Sequence, residues 1–305
     1  MQRRHFIKNT IWAAGALALP SMGANHAFAS PRPAASSGTV ATFKKSIMWG
    51  TIGMEGSVLD KCKAVKAAGY DGIEPNSHMN REEVIAAMKA TGLVASSVCC
   101  STHWSKPLSD PDPDVRRQGV EGAIVAMEDA RAYGTDAFLL VPGVVNEAVT
   151  YEDCWNRSTE EIKKLLPLAE KLKVKVCIEN VWNNFLLSPL EACRYVDQFD
   201  SDYVGFYFDC GNILVYGWPE QWISILGKRT GRIHIKEFSK KVADKSGRWE
   251  GFNVELAEGD VNWKRVIEEA RKHYQGGWLT TEQGENKTPG ELKELSLRLD
   301  RICHS

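Results

Sequence analysis

Eight short β-rich runs alternate with helix-length amphipathic stretches along this chain, and the alternation constrains its fold more than any other feature. Parallel neighbouring strands need a crossover between them, and a helix usually supplies it. Eight repeats of the unit favour closure into a single (β/α)8 barrel over an open sheet, since Gly50-Thr-Ile-Gly53 is too sparse for a phosphate-binding turn. We expect strands at 46–50, 72–74, 94–100, 137–141, 174–179, 204–209, 232–236 and 278–282.

Cap signals place the helices between these strands. Gly69 and Gly92 stand where two amphipathic stretches end, and Asn80 stands three residues before Glu83, as in a capping box. We expect helices at 58–68, 81–90, 113–133, 151–172, 190–199, 219–226, 263–273 and 290–302.

Four of the apolar runs carry a potential metal ligand at or near their downstream end. The ligands are Glu179, Asp209, His234 and Glu282, separated by 30, 25 and 48 residues. The carboxyl ends of barrel strands share one rim, so we expect these four side chains to meet there. Three carboxylates and one imidazole suit one hard or borderline divalent cation. Mn²⁺ is the expected ion, with Mg²⁺, Co²⁺ or Zn²⁺ as alternatives.

Each of these residues also has a structural interpretation. Glu179 or Glu282 could be a buried carboxylate paired with an arginine, and His234 could be a satisfied core histidine. Asp209 could cap the turn at Gly211. Only the set of four at equivalent strand ends favours a metal site over these roles.

Further polar residues lie at the expected rim. Glu74, His103 and Lys236 are candidates for binding a substrate, although each could instead serve the fold. Aromatic rings can stack on a sugar face, and the tryptophans near strand ends are Trp49, Trp104 and Trp182.

The N-terminus has the features of an export signal. Arg3 and Arg4 open a twin-arginine segment, an apolar stretch follows from 11 to 20, and Ala27-Phe-Ala29 supplies the small residues of a cleavage site. We therefore expect a signal peptide at 1–29, a flexible lead-in at 30–40 and the barrel at 41–305. This route carries folded proteins, so the expected location is the periplasm or cell envelope.

Composition excludes several classes of function. The 305 residues carry a formal charge of −1, and removal of 1–29 takes away three basic residues and no acidic one, which leaves −4. This charge disfavours a nucleic-acid partner, and no apolar stretch is long enough for a membrane span. The eight cysteines show no CxxC pair, so we expect structural thiols rather than a disulfide framework. A homo-oligomer remains open.

Several segments resemble the xylose isomerase-like barrel superfamily, in particular the sugar and sugar-phosphate isomerases and 3-epimerases. The matching segments are Gly69-Tyr-Asp-Gly-Ile-Glu74, Ile178-Glu-Asn-Val-Trp-Asn183, Phe208-Asp-Cys-Gly211, Ile233-His-Ile-Lys236 and Glu258-Gly-Asp-Val-Asn-Trp263. The resemblance covers essentially the whole chain after the signal and implies a TIM barrel.

The resemblance also implies a chemistry. The family's metal ligands map onto Glu179, Asp209, His234 and Glu282. The cation would polarise the carbonyl of a ketose or keto-sugar and stabilise an enediolate. Glu179 and Glu282 would act as acid and base on opposite faces of the sugar, giving isomerisation or epimerisation.

One position departs from the family pattern. Ketose epimerases often carry Asp-x-x-His after the sixth strand, whereas this chain has Asp209-Cys-Gly-Asn212. Asn212 can bind a hydroxyl but cannot take up a proton near neutral pH. Two other activities therefore stay open, namely elimination from a 3-keto-glycoside and non-catalytic sugar binding.

Overall fold

The computed structural model describes residues 42–304, and the predicted signal peptide and lead-in lie outside the described residues. Nine parallel strands form one sheet in the order β3-β2-β1-β9-β8-β7-β6-β5-β4. The strands are β1 Lys44–Met48, β2 Gly72–Glu74, β3 Val94–Ala95, β4 Val98–Cys99, β5 Ala137–Leu140, β6 Lys175–Glu179, β7 Val204–Asp209, β8 Thr230–Ile235 and β9 Trp278–Thr281.

The predicted barrel is confirmed, although the third predicted strand is interrupted. It forms β3 and β4, the two ends of the sheet order, so the nine strands wrap into a barrel with eight strand positions. An isolated parallel bridge joins Asn76, two residues beyond β2, to Cys99 of β4. The break falls at Ser96, whose carbonyl accepts hydrogen bonds from the side chains of Arg232 (2.7 Å) and Thr135 (2.9 Å). The Ser96 carbonyl thus accepts hydrogen bonds from side chains in place of the backbone hydrogen bond of a continuous strand.

The helices surround the barrel, and most fall where the capping signals predict. Ser57 and Asp60 form a capping box at the first helix, and Gly69 ends that helix with φ of 96°, a conformation that glycine adopts without a Cβ penalty. The helices are α1 Val58–Ala68, α2 Arg81–Thr91, α3 Pro113–Tyr133, α4 Tyr151–Leu172, α5 Pro189–Asp197, α6 Cys210–Ile213, α7 Pro219–Leu226, α8 Lys240–Ser246, α9 Trp263–His273 and α10 Pro289–Cys303.

Two short helices, α6 and α8, were not expected from the sequence. Both lie in connections that follow barrel strands, where the rim is built. α6 begins directly after β7 because Asp209 accepts a hydrogen bond from the backbone N–H of Asn212. Seven residues in α8 and four in α6 carry too weak a periodic pattern to separate them from loops.

Strand register brings the predicted ligands together. Asp209 pairs with His234, and Glu179 pairs with Tyr207 on the neighbouring strand. Glu282 lies one residue beyond β9, where its backbone N–H donates to the Ile235 carbonyl at 3.0 Å. All four ligand positions therefore stand at the carboxyl ends of adjacent strands.

No helix within residues 42–304 is long and apolar enough to cross a membrane. All eight cysteines lie in this range and all are free thiols, as the absence of paired spacing predicts. Six of them are buried, where a reduced cysteine behaves as a small apolar side chain.

Candidate active site

The four predicted ligands form one cluster at the rim. One ligand atom from each of Glu179, Asp209, His234 and Glu282 lies within 4.8 Å of all the others. The first three side chains are buried, and that of Glu282 is 20% exposed. No arginine forms an ion pair with these carboxylates among the described residues, so the alternative of a core pair with arginine does not apply.

Asp209 has one satisfied oxygen and one without a partner. Its Oδ1 accepts the Asn212 N–H at 2.6 Å and caps α6, as the structural interpretation proposed. Its Oδ2 is buried and accepts no hydrogen bond within the described part of the chain. Capping therefore uses one oxygen and leaves the other free for a cation, since an unpaired buried carboxylate oxygen is costly.

The imidazole of His234 is held between two acidic groups. Its Nδ1 faces the ligand cluster, 3.1 Å from Glu179 Oε1 and 3.2 Å from Glu282 Oε2. Its Nε2 lies 2.9 Å from Glu74 Oε2, and the same oxygen accepts the Tyr207 hydroxyl at 2.5 Å. A carboxylate on the far nitrogen of a ligating histidine fixes the ring and raises its basicity.

This contact changes the interpretation of Glu74. The sequence made it a substrate-binding candidate, but its side chain is fully buried beneath His234 and does not line the cavity described below. Its geometry fits a positioning role for the His234 ring. Sequence reasoning placed Glu74 at the rim because a short strand ends there, and it could not see which way the side chain turns.

Burial and neighbouring charges set the protonation of the cluster. Burial raises the pKa of Glu179, and it raises the pKa of Asp209 to about 8. Burial also disfavours the charged form of Glu282, but the cations Lys236 and His234 outweigh it and hold that pKa below its ordinary value. Without a bound cation, the cluster therefore opposes ionisation of two of its three carboxyl groups.

Lys236 supplies the only lysine ammonium at this cluster within the described residues. Its Nζ lies 3.0 Å from Glu282 Oε2 and 3.8 Å from Asp209 Oδ2. Burial disfavours the charged form, but Glu282 and Asp209 raise the pKa of the amine above its ordinary value. Lys236 thus keeps Glu282 ionised and also faces the cavity, where it can meet a ligand oxygen.

A cavity of about 270 Å³ opens above the cluster. His103 and Asn212, both predicted to bind substrate, line it together with three of the four ligands. The lining residues are Met48, Cys99, His103, Trp104, Leu139, Glu179, Val181, Trp182, Asn212, His234, Lys236, Trp249, Phe252 and Glu282.

The two polar candidates at this cavity differ in their bonding. His103 accepts the Val141 N–H through Nδ1 at 3.4 Å, and burial lowers the pKa of its imidazole to about 4. The ring is therefore neutral near pH 7 and keeps its proton on Nε2 as a donor. Asn212 donates from Nδ2 to the Asn180 carbonyl at 2.9 Å, which leaves its Oδ1 as an acceptor.

Some residues that build the site were not predicted, and one of them, Asn180, lies beside the cavity without lining it. Asn180 braces β6 against β7 by exchanging two hydrogen bonds of 3.0 Å with the backbone of Asp209. Its place directly after Glu179 was the available signal. Trp249 and Phe252 reach the cavity from the connection after β8, and nothing in that stretch marked them. Of the three tryptophans suggested, Trp104 and Trp182 line the cavity and Trp49 does not.

The residues present fit a divalent cation. The donor set is three carboxylates and one imidazole, and Asp209 Oδ2 has no hydrogen-bond partner in residues 42–304. Glu74 already orients the histidine from the far side. Oxygen and imidazole donors of this kind suit Mn²⁺, Mg²⁺, Co²⁺ or Zn²⁺ and do not select among them.

Comparisons with known proteins agree with the fold. L-ribulose-5-phosphate 3-epimerase of Escherichia coli K12 is 26% identical over 242 residues, covering 72% of this chain and 80% of that protein. The crystal structure of E. coli 3-keto-D-glucoside 4-epimerase superposes with a TM-score of 0.73 at 17% identity, covering 87% of this chain and 100% of that one.

A third relative is D-psicose 3-epimerase of Clostridium cellulolyticum H10, solved with D-tagatose. It superposes with a TM-score of 0.69 at 18% identity, over 86% of this chain and 98% of that one. The sequence profile described as the xylose isomerase-like TIM barrel matches residues 62–300. That match spans most of the chain, and the protein belongs to the xylose isomerase-like TIM barrel family.

Proposed function

We propose that this protein is a divalent-metal-dependent epimerase or isomerase of a ketose or keto-sugar. The observation that carries the proposal is the pair of glutamates, Glu179 and Glu282, which both border the cavity and both lie about 3 Å from His234 Nδ1. Relatives that match across most of the chain are sugar epimerases, which supports the same class of reaction.

The proposed reaction moves one proton at the carbon beside a carbonyl. One glutamate removes the proton from one face of the sugar, and the other returns a proton to the opposite face. Bound at Glu179, Asp209, His234 and Glu282, a divalent cation would supply Lewis-acid polarisation of the carbonyl. Lys236 keeps Glu282 in its ionised form, which a proton acceptor requires.

The remaining polar groups would position the sugar. Neutral His103 can donate from Nε2, and Asn212 can accept through Oδ1. Neither group would carry a proton through the reaction near pH 7, because His103 titrates near pH 4 and an amide does not titrate. Asn212 therefore supports hydroxyl binding at a position where related epimerases often have histidine.

The proposed substrate is not phosphorylated, although the relative from E. coli K12 is named for a sugar phosphate. Lys236 is the only lysine or arginine among the residues that line the cavity, and its ammonium is engaged by Glu282. A phosphate dianion usually meets a cluster of such cations or a helix N-terminus. Export to the periplasm or cell envelope, as proposed from residues 1–29, would also favour free sugars and glycosides.

A substrate panel in D₂O tests the proposal. Matched free and phosphorylated ketoses and 3-keto-glucosides are incubated with Mn²⁺-loaded protein and followed by NMR. We expect deuterium next to the carbonyl, a new epimer or isomer, and higher kcat/KM on the free member of each pair. Release of an aglycone would assign elimination instead, and binding without any exchange would assign a sugar-binding barrel. Higher efficiency on phosphorylated sugars would refute the substrate assignment.

A further inference from the structure

Exposed aromatic side chains in the described residues are confined to the catalytic face of the barrel. They are Trp104, Tyr216, Trp218 and Trp249, and the three tryptophans are 53%, 58% and 68% exposed. Each lies in a connection that follows a barrel strand, after β4, β7 or β8. The helices around the barrel expose no aromatic ring of this kind within residues 42–304. Exposed apolar surface gathered at a cleft usually marks a binding site.

Two of these tryptophans border the cavity, and they follow strands on opposite sides of the barrel. Trp104 follows β4 and Trp249 lies in the connection after β8, and both line the same 270 Å³ cavity. If β3 and β4 are counted as one strand position, β8 lies four positions away in either direction around the barrel. The strand ends that precede the two tryptophans therefore lie on opposite sides of the barrel, and the Trp249 ring contacts Trp182, which follows β6. Trp218 is equally exposed but does not line the cavity.

The segment that carries Trp249 is held in place. Its ring centroid lies 4.6 Å from that of Trp182, and the Arg248 guanidinium lies over the Trp182 ring, 4.3 Å from the ring centroid. Arg248 also donates to the Tyr216 hydroxyl at 2.6 Å. Nearby, Gln283 bonds the carbonyl of Phe252 at 3.0 Å. These contacts fix the backbone around Trp249 while its outer face stays open to solvent.

The cavity has room for one sugar ring, and Trp104 and Trp249, both largely exposed, line its outer part. Pockets for drug-sized ligands span about 300–1,000 Å³, so 270 Å³ suits a single sugar ring. A group attached to that ring would extend to the entrance, between Trp104 and Trp249. The face of an indole attracts C–H edges, and both a pyranose face and an aryl ring present them.

We propose that Trp104 and Trp249 form a subsite for a second ring, so that the natural ligand is a glycoside rather than a free monosaccharide. This inference rests on the proposed function, which places the reacting sugar in the cavity. The second ring, a sugar or an aryl group, lies between the two indoles. A protein partner on the same rings would instead cover the entrance to the cavity, because both tryptophans line it.

Isothermal titration with β-D-glucosides tests the subsite without turnover, because these probes, with cellobiose used as its methyl β-glycoside, lack a free carbonyl. The Mn²⁺-loaded protein is titrated with methyl glucoside, phenyl glucoside and cellobiose. We expect phenyl glucoside or cellobiose to bind about 10-fold more tightly than methyl glucoside. The phenyl and disaccharide arms distinguish an aryl from a sugar occupant.

Three single variants locate the effect. Trp104→Ala and Trp249→Ala should each reduce the preference for the second ring about 3- to 10-fold, while Trp218→Ala, an equally exposed control, should change it less than 2-fold. Circular dichroism of each variant shows whether the fold is retained. Equal affinity for methyl and phenyl glucosides and cellobiose would overturn the proposal, as would an unchanged preference in both Trp104→Ala and Trp249→Ala.

Light scattering tests the competing explanation, in which the exposed tryptophans form an interface with another protein chain. If Trp249→Ala dissolves an oligomer and leaves the glucoside preference intact, the rim is a protein interface and the subsite is wrong. The titration is independent of the D₂O assay. If the protein prefers ligands with a second ring but catalyses no deuterium exchange, the proposed reaction is wrong and the subsite stands. If it catalyses exchange but shows no such preference, the subsite is wrong and the reaction stands.

Discussion

At the scale of single residues, the two polar side-chain atoms of Asp209, and likewise those of His234, make different contacts. Asp209 caps α6 with one oxygen and leaves the other buried without a hydrogen bond among the described residues. His234 turns Nδ1 to the carboxylates and Nε2 to Glu74. In each residue, one side-chain atom makes a structural hydrogen bond and the other faces the proposed cation site.

Replacing Asp209 by asparagine should separate folding from metal binding. Burial raises the pKa of Asp209 to about 8, against about 4 in an unfolded chain. Its protonated form therefore favours the metal-free fold below pH 4, and this contribution is lost as the pH rises through about 8. At pH 8, metal-free Asp209→Asn should be at least as stable as wild type, because Asn can still accept the Asn212 N–H.

Metal addition then distinguishes the two proteins. At an ion concentration of about 100 Kd, Mn²⁺ should raise the wild-type Tm by about 5–10 °C and leave Asp209→Asn nearly unchanged. Differential scanning calorimetry with and without Mn²⁺ measures both effects. An equal metal-induced rise in the two proteins would exclude Asp209 as a ligand.

At the scale of elements, the connection after β8 completes the cavity, and side chains from two strand ends hold it. Glu237 follows β8 and accepts hydrogen bonds from the backbone of Ala257 (3.0 Å) and from Trp263 Nε1 (2.6 Å). Gln283 follows β9 and donates to the carbonyls of Phe252 and Val254 at 3.0 and 2.6 Å. Both stand next to cavity residues, Lys236 and Glu282.

Removing the Gln283 side chain should loosen this connection. Gln283→Ala loses the two bonds to the Phe252 and Val254 carbonyls and the one that its Oε1 accepts from Glu237 N–H at 2.7 Å. We expect a loss of about 1–3 kcal/mol in unfolding free energy, faster proteolysis within 247–262 and a higher KM. Gln221→Ala, on the exposed face of α7, is the matched control. Unchanged proteolysis and KM in Gln283→Ala would show that the connection is held by other contacts.

Sequence periodicity predicted most elements because each strand and helix buries one continuous apolar pattern. α1, α3, α4, α7 and α9 match their expected bounds, and the four ligands follow from their positions at strand ends. The break at Ser96 could not be predicted, because it depends on Arg232 in β8 and on Thr135 in the connection before β5, both far away in sequence. The orientation of Glu74 and the approach of Trp249 likewise depend on tertiary packing.

At the scale of the whole molecule, the chain combines a family barrel with a proposed export signal. The barrel accounts for residues 42–304 and has no membrane-spanning helix in that range. Twin-arginine export carries folded proteins, so the metal would be loaded in the cytoplasm before transport. On this proposal, metal binding and export both require the folded protein and do not otherwise depend on each other.

Replacing the arginine pair should keep the precursor in the cytoplasm. Arg3→Lys combined with Arg4→Lys should leave the protein in the cytoplasm, folded and able to bind metal, whereas Lys8→Arg should be exported like wild type. Cell fractionation followed by immunoblotting measures the distribution. Normal export of the double variant would refute the twin-arginine route.

The central claim is that Glu179 and Glu282 each exchange one proton of a sugar bound at the metal site. The most direct test is solvent deuterium incorporation by Glu179→Gln and Glu282→Gln, on a substrate found by the panel and with Mn²⁺ content measured in each protein. With metal retained, epimerisation should fall at least about 100-fold in either variant. Any exchange that persists should be confined to the epimer whose proton faces the remaining glutamate. A metal-loaded variant that epimerises at the wild-type rate would contradict the account.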